Sequence, residues 1–439
     1  MGTVADKLNY LSNTKNLIAN AINNKGQTVN SGDSFRSFAS KIENISSGVD
    51  LNDYFVTDAT FGQGLSLGAF IKNIPENFST SDWPTTASLF ESCRNLTSIP
   101  NLNTSNAKNM SRMFLYCENL TSIPNLDTSN VNNMNSMFCY CNNLTSIPNL
   151  DTSNVNNAYS MFERCNKLTS IPNLNTSNVN NMSRMFCGCE NLTSIPNLNT
   201  SNVNNMNSMF ASCVSLTSID YWEKVNTGPE MFSYCYNLIS VANFKNISQN
   251  VSNMFNSCRN LKTVSDFNIA SGANLTYMFN NCRNLITISN FNFLGTATTS
   301  NMFSYCYNLT TVINFDTSNL TSGTRMFSGS YGLTIIPNLN TSKMTGTSYM
   351  FAMCSNLTTV PQMDLSNASI ISNMFMYCNN LSNSSIQNII NMFLNSKVSS
   401  ASYKNLINTN SYSPFYLTNI ANTRYQNRWT ELTAAGWTY

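Results

Sequence analysis

Met137-Phe138-Cys139-Tyr140-Cys141 is followed 24 residues later by Met161-Phe162-Glu163-Arg164-Cys165, and that interval decides the fold. From Leu89-Phe90 onward the dipeptide returns as Met-Phe at Met113, Met137, Met161, Met185, Met209, Met231, Met254, Met278, Met302, Met326, Met350 and Met374, thirteen units of which two are shortened. A fixed period of this size marks a solenoid, in which each unit is too small to bury its own apolar face and stacked neighbours bury it together.

Within one unit, Val203, Met206, Met209, Phe210, Cys213, Leu216 and Ile219 form the apolar set, joined by Leu192 of the preceding coil. Steps of three and four from Val203 to Cys213 predict one or two short helical turns. Leu216 to Ile219 reads as a short strand, and Pro196 to Asn202 as a turn in which Ser201 or Asn202 can cap the helical segment. The expected fold is therefore an α/β solenoid. At roughly 4.8 Å per coil, thirteen coils would make a rod on the order of 60 Å long.

Four segments follow from the pattern. Residues 1–48 lack the repeat: Leu8, Leu11, Lys15, Ile18 and Ile22 trace a narrow helical seam, and Phe35, Phe38 and Ile42 share the face of a second helix capped at Asp33. The seam suits either a hairpin within one chain or a short coiled coil of several, with Lys15 awkward in the latter. Residues 49–88 read as an N-terminal cap with a degenerate first coil, and the repeats fill 89–381. In 382–439 a helix marked by Ile386, Ile389, Ile390 and Phe393, and a second from Tyr425 to Ala435, would cap the open end of the stack.

Only 10% of residues are charged and the formal net charge is +2, so bulk electrostatics draws neither nucleic acid nor a membrane surface. No run of eighteen apolar residues predicts membrane insertion, and residues 1–7 do not read as a secretory signal. Twelve of the 14 cysteines occupy one slot of successive coils, from Cys93 to Cys378, with Ser330 in that slot once. They read as small buried apolar groups. Cys139 and Cys187 lie outside it, and the Cys139-x-Cys141 and Cys187-x-Cys189 spacings, without any histidine, do not predict a zinc site. The same lack of histidine, with 21 acids thinly spread, argues against an enzyme and against a cofactor. Asp127, Asp151 and Asp316 share a slot with Asn103, Asn175, Asn199 and Asn340, which is the behaviour of a turn position.

Between Ala107 and Leu216 the coils repeat almost letter for letter, and variation gathers beside the cysteine. Tyr116, Tyr140, Arg164, Tyr234, Tyr236, Arg259, Arg283, Tyr305, Tyr307, Tyr331 and Tyr377 fall there. In a stack held in register they form a lateral strip suited to sugar or protein contacts. Free variation at exposed positions would also diversify this strip, without its aromatic bias. The uniform threonines Thr97, Thr121, Thr145, Thr169, Thr193 and Thr217 read as a stacking ladder.

The unit from Leu120 to Cys141 resembles the BspA-like leucine-rich repeats of bacterial surface proteins and some phage proteins. This implies a leucine-rich-repeat-like, right-handed coil stack used for adhesion or recognition. The segment Thr14 to Ile22, Lys25-Gly26 and Ser34 to Ile42 is similar to the N-terminal part of tail-fibre and baseplate proteins of phages of Gram-positive bacteria. Together these resemblances imply a virion receptor-binding protein made in the host cytoplasm. Residues 1–48, with Leu8, Leu11, Ile18, Ile22, Phe35, Phe38 and Ile42, would attach it to tail or baseplate proteins or form a homotrimer. The strip would meet a host-surface glycan or protein. The alternative is a bacterial BspA-like surface adhesin.

Overall fold

The computed structural model describes residues 83–398 apart from 196–197, 220–227, 243, 245–246 and 248, together with residues 19, 73–74, 80–81 and 434. The attachment residues Leu8 to Ile42 and the helix expected from Tyr425 to Ala435 lie outside the described residues. The chain divides into two compact units, Met1–Val179 with Pro196–Asn199, and Asn180–Ile195 with Thr200–Tyr439. Among the described residues no helix is long and apolar enough to cross a membrane.

In the first unit the Met-Phe-x-x-Cys segment is not helical. Alternate amides leave the coil: Met110, Arg112, Phe114 and Tyr116 donate to the carbonyls of Asn133, Asn135, Met137 and Cys139 in the next coil, at 2.8–3.0 Å. The intervening amides of Met113, Leu115 and Cys117 close turns onto Met110, Arg112 and Phe114 at 3.1–3.3 Å. Arg112 and Tyr116 take φ near +60°, the left-handed value that the third residue of a type II turn requires. A chain of turns spaces apolar residues by three and four as a helix does. What separates the two is the destination of alternate amides, which lies a full coil away. Phe90, Phe114, Phe138 and Phe162 stack with ring centroids 5.4–5.6 Å apart and interplanar angles of 6–15°.

The turn slot behaves as its composition predicts. Asp127 Oδ1 accepts from the amide and hydroxyl of Ser129 at 3.1 and 2.7 Å, and Asn175 Oδ1 accepts the same pair from Ser177. Thr128 Oγ donates 2.9 Å to the Asp151 carbonyl one coil on, tying the turns together. The expected strand, by contrast, is reduced in this unit to single contacts such as Thr121 N to the Thr97 carbonyl at 3.3 Å. Pro124, Pro148 and Pro172 sit in that stretch, and a proline cannot donate to a ladder.

The second unit shows the converse. Where Ile-Pro-Asn-Leu gives way to β-branched runs, four strands form: β1 (Ser240–Ala242), β2 (Thr263–Ile269), β3 (Thr287–Phe293) and β4 (Thr311–Phe315). They make a parallel sheet in the order β1-β2-β3-β4, with Val241, Val264, Ile288 and Val312 in register. Phe244, Phe267 and Phe291 stack along this wall, and they meet the Phe255, Phe279 and Phe303 column edge to face at 5.5–6.5 Å. A 12-residue helix, α1 (Asn383–Leu394), follows the last coil with Ser382 as its N-cap. Its Ile386, Ile389, Ile390 and Phe393 are buried, as their spacing predicts. Asn388 Nδ2 donates 2.9 Å to the Val360 carbonyl, and the Phe393 ring lies 6.3 Å from Phe375. Within the described coils there is no α-helix, so the helical part of the expected α/β coil is corrected to turns.

Candidate functional site

The cysteine slot forms part of the inner wall, and the thiols do more than fill space. Cys117, Cys141 and Cys165 are buried and each donates its S–H to the carbonyl of Phe90, Phe114 or Phe138 in the preceding coil, at 3.2 Å. Cys235, Cys258, Cys282, Cys306, Cys354 and Cys378 repeat the contact in the second unit. Ser330, the one exception in the slot, keeps it with its hydroxyl 3.1 Å from the Phe303 carbonyl. Burial pushes the thiols of Cys93, Cys235 and Cys354 up from 9.0 to about 12, so they stay protonated. Reading these residues as small buried apolar groups places them correctly in the wall but omits this donor, for which a serine in the cysteine slot is the signal.

The first residue between Phe and Cys also faces inward. Leu115, Cys139 and Glu163 are buried, as are Ala211 and Ser304, whereas Glu91, Cys187, Asn256 and Asn280 of the same slot are half-buried, so much of the variation at this position concerns packing. Outward exposure belongs to the second residue and to the one after the cysteine. The second residue takes φ of 59–75° in coil after coil, from Ser92, Tyr116, Tyr140 and Arg164 to Tyr305, Gly329, Met353 and Tyr377.

In the first unit these two columns bring together Arg94, Tyr116, Tyr140 and Arg164. The tyrosine rings lie 4.9 Å apart, Arg94 sits 6.0 Å over Tyr116, and Arg164 sits 5.7 Å over Tyr140. Two ion pairs accompany them: Arg94 with Glu118 at 3.3 Å and Arg112 with Glu91 at 2.7 Å. Burial, then the neighbouring Tyr140, raises the Tyr116 phenol above its usual range. Arg94 follows its cysteine as Arg259 and Arg283 do, so its slot could have placed it among the sequence candidates.

In the second unit Tyr234 and Tyr236 meet edge to face at 6.2 Å, and so do Tyr305 and Tyr307 at 6.4 Å. Tyr307 and Tyr331 stack at 4.9 Å. Arg259 lies 4.7 Å over Tyr236 and Arg283 lies 5.5 Å over Tyr307. Tyr234 and Tyr305 remain 43% and 41% exposed, which leaves ring edges and hydroxyls free for contact. Tyr377 shares the left-handed position of its own coil. A further pair, Arg325 over Tyr349 at 4.6 Å, sits one turn earlier in its coils, outside the sequence candidates.

A second outward feature flanks the inner wall. In the second unit a groove of about 930 Å³ is lined by Asp266, Asn290, Asn314, Asp316 and Asn340 among others. In the first unit a smaller one of about 440 Å³ is lined by Asp127, Asn149, Asp151 and Asn173. Asn290 and Asn314 pass their side-chain amides to Asp266 and Asn290 at 2.8 and 2.9 Å, so much of this lining is engaged within the fold.

Residues 50–174, 160–269, 229–334 and 273–389 match the family described as Mycoplasma protein of unknown function, DUF285. The chain belongs to this family. Residues 347–435 of this DUF285 protein also match the BspA type leucine rich repeat region. No curated protein matches it. Among solved structures it is similar to a leucine-rich repeat protein from Bacteroides ovatus, at 16% identity over 77% of this chain and 99% of the other, with a TM-score of 0.47. It is also similar to a leucine rich cell surface protein from Faecalibacterium prausnitzii, at 19% identity over 70% of this chain and 83% of the other, with a TM-score of 0.36. The first 49 residues precede both family matches.

Proposed function

We propose that this DUF285 protein is a non-catalytic recognition solenoid of the BspA-like surface-adhesin kind, which contacts its partner through the tyrosine and arginine strips. One observation carries the reading. At φ near +60° the backbone favours glycine, then asparagine, because a Cβ crowds the following carbonyl at a cost of roughly 1–2 kcal/mol. Yet Tyr116, Tyr140, Tyr234, Tyr305 and Tyr377 hold this position, while glycine holds it only at Gly188 and Gly329. Drift under the backbone's own preference would enrich glycine and asparagine. Tyrosine there is retained for its side chain, and its exposed hydroxyl edge suits a recognition surface.

The test is binding of the purified protein to target cells. Replacing Tyr234, Tyr236, Tyr305 and Tyr307 by Ala is expected to cut cell binding while the fold persists; undiminished binding by the folded variant would remove the strip from consideration. Attachment to a phage particle rests on the residue pattern of positions 14–42 alone. Detecting the protein in purified particles, as opposed to the cell-surface fraction of a bacterium, decides between a virion and an adhesin setting for the same strip.

A further inference from the structure

We infer that the strip of the second unit takes a polysaccharide bearing oxyanion groups; the inference rests on the reading of the strip as a recognition surface. The two units differ in charge at equivalent places. In the first, Arg94 and Arg112 are answered by Glu118 and Glu91, so the strip is close to neutral. In the second, the column after the cysteine slot from Tyr236 onward reads Tyr236, Arg259, Arg283, Tyr307, Tyr331, without an acid, and Glu190 of the same column lies three coils before Arg259. Among the described residues, neither Arg259 nor Arg283 has a carboxylate within ion-pair distance.

Both guanidinium groups are held ready. Each lies over a tyrosine ring, and Arg283 Nε donates 2.8 Å to Asn281 Oδ1, which fixes the plane and leaves the terminal nitrogens facing solvent. A guanidinium oriented in this way is pre-organised for paired hydrogen bonds to a carboxylate, sulfate or phosphate. The two arginines occupy the same slot of consecutive coils, about 4.8 Å apart along the stack by the inter-strand spacing. A polymer lying along the stack would therefore meet one cation per coil there.

The surroundings favour a glycan over an acidic peptide. Extended peptides dock chiefly by pairing with free backbone groups. Here the backbone is already engaged, with the amides of Tyr234, Ser257, Asn281 and Tyr305 donating to the next coil at 2.7–2.8 Å. What remains outward is side-chain chemistry suited to hydroxyl groups. Asn284 and Asn308 donate to Asn260 and Asn284 at 3.2 and 3.3 Å, forming an exposed carboxamide ladder beside the arginines. Each such amide keeps a donor and an acceptor for a sugar hydroxyl.

The experiment uses the full chain, immobilised, with polygalacturonic acid, unmodified dextran and poly-L-glutamate as probes across a salt series. Polygalacturonic acid is expected to bind and to weaken as salt rises, with dextran silent and poly-L-glutamate weaker. The double variant Arg259→Gln, Arg283→Gln, whose thermal melt should be unchanged because both side chains are exposed, is expected to lose about tenfold or more in affinity. Unaltered affinity in that variant overturns the inference, and equal binding of poly-L-glutamate overturns the choice of a glycan. If no polyanion binds while the four-tyrosine variant still loses cell binding, the ligand class falls and the recognition strip stands. If the cell-binding arm also shows no loss, both fall.

Discussion

Replacing Tyr234 and Tyr305 by Gly should leave the protein more stable than replacing them by Ala, which reverses the usual order of these two residues. Both substitutions remove the same rings, with their edge-to-face contacts to Tyr236 and Tyr307 at 6.2 and 6.4 Å, so that loss cancels in the comparison. What remains is the backbone at φ of 63° and 59°. Relief of the left-handed Cβ contact favours Gly by roughly 1–2 kcal/mol per site. The greater freedom of an unfolded glycine offsets roughly 0.5–1 kcal/mol of that. The net is about 0.5–1 kcal/mol per site, or about 1–2 kcal/mol for the double variant. With a urea dependence of about 2–3 kcal/mol per molar, the Gly variant's midpoint should lie about 0.5 M above that of the Ala variant. Equilibrium urea denaturation followed by circular dichroism measures it, and cell binding should fall equally in both. An Ala variant as stable as the Gly variant, or more so, would refute the claim that tyrosine stands there against the backbone's preference.

Three more expectations concern the wall. Phe279 touches Phe255, Phe267, Phe291 and Phe303 at 5.3–6.0 Å, so Phe279→Ala should cost about 3–5 kcal/mol, read as a fall in the urea midpoint. At Gly329 an added Cβ would come within 2.7 Å of the Tyr305 ring at φ +74°, so Gly329→Ala should destabilise by about 1–2 kcal/mol; a neutral melt would contradict the packing described. The buried thiols of Cys93, Cys235 and Cys354 should make the fold sensitive to alkali. Their folded values near 12 exceed the unfolded 9.0, so their contribution is fully present below pH 9 and is lost as pH rises from there towards 12. The slope is on the order of 1 kcal/mol per thiol per pH unit in that window, and pH-jump circular dichroism at pH 8 and 10.5 measures it.

The period of 24, the Phe column, the buried cysteine slot and the helix at Ile386 to Phe393 are all legible in the sequence, because each is a matter of which residues recur at which interval. The helical reading of Val203 to Cys213 fails for a physical reason: β-turns in series and an α-helix share the same apolar spacing. Only partners a full coil away, such as Ser212 N with the Ser233 carbonyl and Met182 N with the Asn205 carbonyl, distinguish them. The strand was overread in the coils that carry proline and underread between Ser240 and Phe315, where its loss lets the ladder form. For the candidate site, the sequence shows where the repeats vary, beside the cysteine, but not which of those residues face outward. Leu115 and Glu163 are buried while their neighbours Tyr116 and Arg164 reach the surface, a division within the two residues between Phe and Cys that only the coil geometry reveals.

The alternation of amides in the first unit carries a genetic consequence. Phe114 bonds forward to Met137 as Phe138 does to Met161, at 2.9 Å in both cases, and the side-chain contacts repeat with the same offset. Excising 24 residues anywhere in that run rejoins equivalent partners, and inserting 24 does the same. A deletion or duplication of the 24 codons for one of these near-identical coils should therefore yield a chain that folds, one coil shorter or longer, with a contact surface of different length. Diversity in reach is available to such a lineage without any single amino acid having to change.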